Sequence, residues 1–214
     1  MVLYLFLQWL MIGFLLILFC SCVIIRIVRR YRKFPIPAAL TGLIDNPWRR
    51  HIVQKPSTVA AQAYLKPGMT VLEIGPGKGS YTIEFAKQVR PNGTVYAVDI
   101  SKKVIEKLKQ RIIQEEIPNI IAKIDNAHAF SFADESIDRV IAISCLPEIP
   151  EPVKALREIW RILKPNGLVS LSELAPDPDY PRRKTEKRWA AEAGFELHSE
   201  FGNWFVYQLN FKKA

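Results

Sequence analysis

The run Val71 to Thr82, VLEIGPGKGSYT, restricts this chain more than any other feature. An apolar stretch carrying Glu73 breaks at once into Gly75, Gly77 and Gly79, ahead of a helix-forming sequence. Glycines at this spacing suit a strand that turns sharply into a helix, because no Cβ opposes a positive φ or the close approach of a ligand. The first turn of the helix would offer unpaired N–H groups to a polar ligand. Glu73 is placed at the strand's end to accept from an amino group. A second acidic residue, Asp99, ends the next apolar run (VYAVDI) and is followed by Ile100. A carboxylate there is placed to accept both hydroxyls of an adenosine ribose.

A glycine triplet joined to an acid at the next strand end implies an adenosine-containing ligand. Two such ligands compete. The dinucleotide fingerprint is GxGxxG, whereas the spacing here is GxGxG with Glu73 just before it. A carboxylate suits the cationic end of S-adenosylmethionine (SAM) better than a pyrophosphate, which favours SAM.

From Ser57 onward, short apolar runs alternate with helical periodicity, the pattern of an α/β domain. Ser57 is expected to cap a helix to Leu65. Strands are expected at Met69–Ile74, Thr94–Val98, Ile120–Ile124, Arg139–Ile143 and Leu168–Leu171. Helices are expected at Tyr81–Val89, Lys102–Gln114, Val153–Leu163 and Arg182–Ala193. Lys164-Pro165-Asn166-Gly167 reads as the turn before the fifth strand. Phe195–Glu200 and Trp204–Phe211, joined at Gly202-Asn203, read as an antiparallel hairpin that ends the sheet.

These residues resemble the class I SAM-dependent methyltransferase family, in particular its ubiquinone/menaquinone C-methyltransferase-like branch, from about Leu65 to Lys213. Beyond the glycine loop and Asp99, the stretch Asp125-Asn126-Ala127 through Phe132-Ala133-Asp134-Glu135-Ser136-Ile137-Asp138 is similar to the family's segment between its third and fourth strands. Leu156 to Ser170 (LREIWRILKPNGLVS) is similar to its following helix, turn and fifth strand. The resemblance implies a Rossmann-like, seven-stranded, mostly parallel sheet with the C-terminal hairpin. It also implies that Asn126 and Ala127 flank the adenine and that Ser144 lies near the cofactor. Cys145-Leu146-Pro147-Glu148-Ile149-Pro150 lacks the Asn-Pro-Pro-Tyr type of signature of many amino-group methyltransferases, which leaves the acceptor atom open.

The other extreme feature is Met1 to Ile25, which carries no charged side chain. As a helix, Val2–Ile25 would span roughly 35 Å against about 30 Å of hydrocarbon. Arg26, Arg29, Arg30, Arg32 and Lys33 follow it and supply five of the nine net positive charges. No basic residue precedes the run, so a retained single-pass transmembrane helix fits better than a cleaved signal peptide. The expected arrangement is a transmembrane helix over 1–25, a basic juxtamembrane segment and linker over 26–55, and a catalytic domain over 56–214. The bilayer would be a partner and the catalytic domain cytoplasmic.

That concentration of charge beside an apolar run argues against a nucleic-acid partner. No CxxC pair or metal spacing is present, so no metal is expected; Cys20 and Cys22 lie in the apolar run and Cys145 follows the fourth strand. In the linker, Trp48, Arg49, Arg50 and His51 face lipid headgroups or the mouth of an active site, or the stretch is a solvated linker with one anchoring aromatic. Glu148 is either a base or a cap of the next helix, and Glu173 either lies by the acceptor or is a loop carboxylate. His128 and His51 read as exposed loop histidines, and His198 as an inert hairpin residue. Tyr180, Arg182 and Arg183 either bind an anionic headgroup or solvate a helix start. SAM carries its own leaving group, so alignment supplies much of the catalysis and no base is assigned. The expected function is methyl transfer to a lipid-soluble or membrane-associated acceptor such as a quinone-like molecule. Protein methylation at the membrane and a non-catalytic scaffold are the alternatives.

Overall fold

The computed structural model describes residues 4, 8–13, 24, 47–175 and 177–214. The strands are β1 (Thr70–Ile74), β2 (Thr94–Asp99), β3 (Ile120–Ile124), β4 (Ile137–Ile143), β5 (Leu163–Leu174), β6 (Phe195–Gly202) and β7 (Val206–Lys213). The helices are α1 (Pro56–Gln62), α2 (Ser80–Gln88), α3 (Lys102–Gln114), α4 (Pro152–Ile162) and α5 (Arg183–Glu192). The strands form one seven-stranded sheet in the order β3-β2-β1-β4-β5-β7-β6. The first five pair parallel, and β7 runs antiparallel to both β5 and β6. The expected Rossmann-like α/β sheet with its terminal hairpin is therefore present.

Parallel strands need crossover helices, which bury both faces of the sheet. One core gathers Val59 of α1, Phe85 of α2 and Leu108 of α3 against the first strands. The other gathers Leu156 and Ile159 of α4 and Ala190 of α5 against β4, β5 and β7. Strand order reverses between β1 and β4. In open α/β sheets the crevice beyond the carboxyl ends at such a switch point is where ligands bind.

Several expectations need correction. The single-pass membrane location with a cytoplasmic catalytic domain is overturned: among the described residues, no helix is long and apolar enough to cross a membrane. The span expected over 1–25 falls mostly outside the described residues, as do Cys20, Cys22 and the basic run 26–33. Within that span the described residues 4, 8–13 and 24 are helical. Ser57 does not cap α1. The N-cap is Lys55, without a side-chain cap bond, and Pro56 opens the helix; proline suits this position because its missing N–H would be unsatisfied there anyway.

Lys164-Pro165-Asn166-Gly167 does not separate α4 from the fifth strand but lies within β5. Ile137 pairs with Leu163 and Arg139 with Leu168, so β5 accommodates extra residues as an irregularity. The Lys164 amine donates to the Asp138 carboxylate at 2.8 Å and Arg139 donates to the Asn166 carbonyl at 3.5 Å. Those two contacts hold the irregular stretch against β4.

Candidate active site

Beyond β1 the chain passes through Gly75, Gly77 and Gly79, at φ of +71°, +54° and +81°. All three lie in the left-handed region that L side chains enter only with strain. Steric demand differs among them. A Cβ on Gly75 would meet the Cys145 Sγ at 2.5 Å, and one on Gly79 would meet the Leu108 Cδ1 at 2.4 Å. A Cβ on Gly77 would meet nothing within 4 Å. The outer two glycines therefore let the loop pack on β4 and α3, and the middle one leaves open backbone facing the crevice. Glu73, on the buried stretch of β1 below the loop, is 2 % exposed.

Asp99 is the last residue of β2, and its Oδ1 accepts from the Ser101 N–H at 2.8 Å. Burial raises its carboxyl above the usual range, and the Ser101 N–H opposes the rise. Ile100 beside it is 60 % exposed, unusual for a large apolar side chain directly after a buried strand. Past β3, Asn126 bridges Ala129, and its Oδ1 accepts from the His128 N–H. Ala127 is buried in the core. Burial works to raise the Asp125 carboxyl, but hydrogen bonds from Ser131 and Lys123 hold it below the usual range. Past β4, Ser144 has a φ of +49°, rare for a residue other than glycine, and its N–H donates to the Ser172 carbonyl. Backbone strain of this kind collects at functional edges.

These residues end neighbouring strands, so the sheet brings them to one edge. The cationic end of a SAM molecule would meet an acidic field there. The half-buried Cys145 thiol reports that field: burial pushes it well up, and the carboxylates of Glu148, Asp99, Glu173 and Glu73 push it further. Open backbone at Gly77, a carboxylate at the next strand end and an acidic surround together fit an adenosine-bearing cation.

The segment Arg49–Val53 forms a π-helical turn that packs on this edge. Arg49, 5 % exposed, donates from Nη2 to the Ser144 Oγ at 3.1 Å and from Nε to the Gln54 Oε1 at 2.8 Å. The Gln54 amide donates to the Ser172 Oγ at 2.7 Å, and the Tyr81 hydroxyl donates to the Gln54 carbonyl at 2.9 Å. Arg49 is therefore no part of a solvated linker, being buried and bonded to Ser144 at the end of β4. Gln54, Tyr81 and Ser172 drew no notice in the sequence; a buried glutamine five residues past an arginine has no motif.

The ambiguous acids also find places. Glu173 is no loop carboxylate: it lies in β5 with no exposure, and Glu186 of α5 is equally buried. Burial raises Glu173 well above the usual range, Glu186 and Asp177 raise it further, and Arg49 opposes them. Burial pushes Glu186 up to about 8. Glu148 does not cap α4, whose N-cap is Glu151, but lies in the preceding 3-10 turn near Asp177 and Asp179. His128 Nε2 lies 2.6 Å from the Pro150 carbonyl, and the His198 ring stacks edge-on to Tyr64. Arg183 bonds the Glu200 carboxylate and lies over the Tyr207 ring, so it braces the hairpin.

A family model described as a methyltransferase domain matches residues 65–205. The chain is similar to a ubiquinone/menaquinone biosynthesis C-methyltransferase of Hydrogenovibrio crunogenus, 32 % identical over 60 % of this chain and 48 % of that protein. It is equally similar to an arsenite methyltransferase of Halobacterium salinarum, 32 % identical over 56 % of this chain and 31 % of that one. The chain thus spans half or less of the length of these two relatives. Among solved structures, a SAM-dependent methyltransferase from Aquifex aeolicus matches with a TM-score of 0.78 at 20 % identity, over 84 % of this chain and 100 % of that one. At that identity the likeness speaks for the fold.

Proposed function

The chain belongs to the methyltransferase-domain family, and from that membership we propose that it is a SAM-dependent methyltransferase acting on an apolar, quinone-like or lipid-like small molecule. The observation that carries the cofactor reading is the open, left-handed backbone at Gly77 one strand away from Asp99. In this reading the Gly75–Gly79 loop and Glu73 hold the methionine portion, and Asp99 accepts from the ribose hydroxyls. Ile100, Asn126 and Ala127 enclose the adenine, and Ser144 lines the methyl end. When bound, SAM supplies an electrophilic methyl together with its own leaving group. The chain's own work is then to align an acceptor and to exclude water, worth several kcal/mol of barrier.

The apolar acceptor is supported by what borders the crevice. Arg49 and Gln54 tie the π-helical turn to the ends of β4 and β5, and Trp48 and Ile52 of that stretch are 56 % and 65 % exposed. Across β5, the Ala175 N–H donates to the Phe205 carbonyl at 2.7 Å, which places the β6–β7 turn at the same edge. Trp204 on that turn is 78 % exposed. Large apolar side chains standing in water around a crevice mark an apolar ligand. The relative named for ubiquinone and menaquinone biosynthesis points the same way.

Titration calorimetry of the full chain with SAM tests the cofactor reading. Saturable binding is expected, weakened at least ~10-fold (about 1.4 kcal/mol) in Asp99→Ala; unchanged affinity in that folded variant overturns it. For the acceptor, Trp204→Ala is expected to raise KM for a short-chain quinol at least threefold while leaving SAM affinity unchanged. Equal KM values in variant and parent would reject an apolar rim.

A further inference from the structure

A second concavity lies away from the strand ends, along the bodies of the helices. Its floor is one face of α2, where Ser80, Ile83, Glu84 and Lys87 follow one another at helical spacing. One wall is the segment carrying Arg50 and Lys55, and the other is α3 with Arg111 and Glu115. The cavity measures about 500 Å³. That volume falls in the range of small-molecule sites rather than of a lone ion.

The lining carries four cations against two carboxylates. Arg50, Lys55, Lys87 and Arg111 reach it from three different parts of the chain. The two carboxylates present bond to neighbours on their own helices: Glu84 accepts from the Gln88 amide at 2.8 Å, and Glu115 accepts from the Arg111 Nε at 2.7 Å. Two guanidiniums converge on a single oxygen, with Arg50 Nη1 at 2.9 Å and Arg111 Nη1 at 3.5 Å from the Ser80 Oγ. Those nitrogens are therefore no farther apart than the sum of the two lengths. Like charges drawn this close repel; Glu115 at 2.7 Å from Arg111 offsets part of that, and a bound anion beside Arg50 offsets the rest. Planar guanidiniums present paired donors that match phosphate geometry, and the lysines add point charges.

We propose that this cleft between the Arg50–Lys55 segment, α2 and α3 is a binding site for a phosphate-bearing molecule, separate from the crevice at the strand ends. Phosphate is favoured over a single carboxylate because the four cations exceed the two carboxylates by two, and a dianion matches that excess. A soluble phosphate ester and a phospholipid headgroup present the same group to these side chains. The site adjoins the glycine loop, since Ser80 follows Gly79 and Arg111 donates to the Lys78 carbonyl at 2.8 Å, but none of its cations lies in that loop or at the β2 end.

The test uses the full chain, titrated with inorganic phosphate at constant ionic strength against chloride. In parallel the chain is mixed with phosphatidylcholine vesicles with and without phosphatidic acid. Saturable phosphate binding, weakened at least ~10-fold (about 1.4 kcal/mol) by Lys87→Glu and by Arg111→Gln, is expected. Retention on phosphatidic-acid vesicles that the same variants abolish would identify the headgroup as the source, and phosphate heat without it a soluble ester. Lys87 is an exposed residue near the end of α2, so its variant keeps the fold, which an unchanged SAM isotherm checks. Absence of both signals in a sample that still binds SAM overturns the proposal. So does binding of undiminished strength in Lys87→Glu. Phosphate binding without SAM binding would instead overturn the cofactor reading alone.

Discussion

Gly75, Gly77 and Gly79 share a backbone conformation but not a reason for it. At Gly79 a methyl group would collide with Leu108, and at Gly77 it would stand in open space. Alanine in the left-handed region costs about 1–2 kcal/mol at either position. Gly79→Ala adds an overpacking cost of about 1–3 kcal/mol. Urea denaturation is therefore expected to show a clearly larger loss of stability for Gly79→Ala than for Gly77→Ala. SAM binding is expected to reverse the emphasis, with Gly77→Ala losing affinity although it loses less stability. Equal stability losses would mean that the Leu108 contact does not govern the loop. The glycine spacing and Asp99 were legible in the sequence because a ligand-approaching turn restricts residue type at fixed positions. The positive φ of Ser144 was not, since serine carries no mark of it.

Elements decide the state of the buried acids. Glu173 comes from β5 and Glu186 from α5, and both are fully buried where strand and helix pack. Sequence reading left Glu173 open to a loop because Lys164–Gly167 resembles a stop signal and the strand was expected to end at Leu171. In the fold the ladder continues past the irregularity to Leu174, where the hairpin strand β7 supplies partners. Pairing with a distant strand leaves no local trace. The pH consequence follows from the raised values. A carboxyl with a folded pKa above its unfolded one is neutral and harmless at low pH, and its ionisation weakens the fold as pH climbs. For Glu186 the window runs from the ordinary 4.5 up to about 8, with burial as the cause. Thermal melting is expected to fall across that window, and Glu186→Gln is expected to flatten the fall and to be the more stable form at its upper end. A variant whose melting profile parallels the parent's would show that Glu186 does not titrate in this range.

Across the whole molecule, the alternation of apolar runs and helical periods was enough for the individual strands, the helices and the final hairpin, which rest on local patterning. The seven-stranded, mostly parallel sheet, by contrast, was what the family resemblance implied. What patterning could not supply was the route of the segment before α1, because its contacts reach residues far along the chain. Gln54, 3 % exposed, touches Tyr81 of α2 and Ser172 of β5 and accepts from Arg49, which in turn holds Ser144 past β4. Further on, the Gln208 amide of β7 donates to the Val59 carbonyl, and that of Asn210 to the Gln62 carbonyl. The stretch from Arg49 through α1 thus joins the first half of the sheet to the last. A solvated linker would tolerate Gln54→Ala within about 0.5 kcal/mol. Here the truncation takes the Gln54 Oε1 from the buried Arg49 Nε, whereas Tyr81 keeps the Gln54 backbone carbonyl and Ser172 the Tyr207 carbonyl, so about 1–3 kcal/mol is expected for the one bond lost without replacement. The expected result is a loss of about 1–3 kcal/mol of stability, read as a lowered urea midpoint with an unchanged slope, the sign of a weaker fold that still unfolds as one unit. A shift confined to the range of a surface change would return the segment to the status of a linker and leave Arg49 without a fixed place above Ser144.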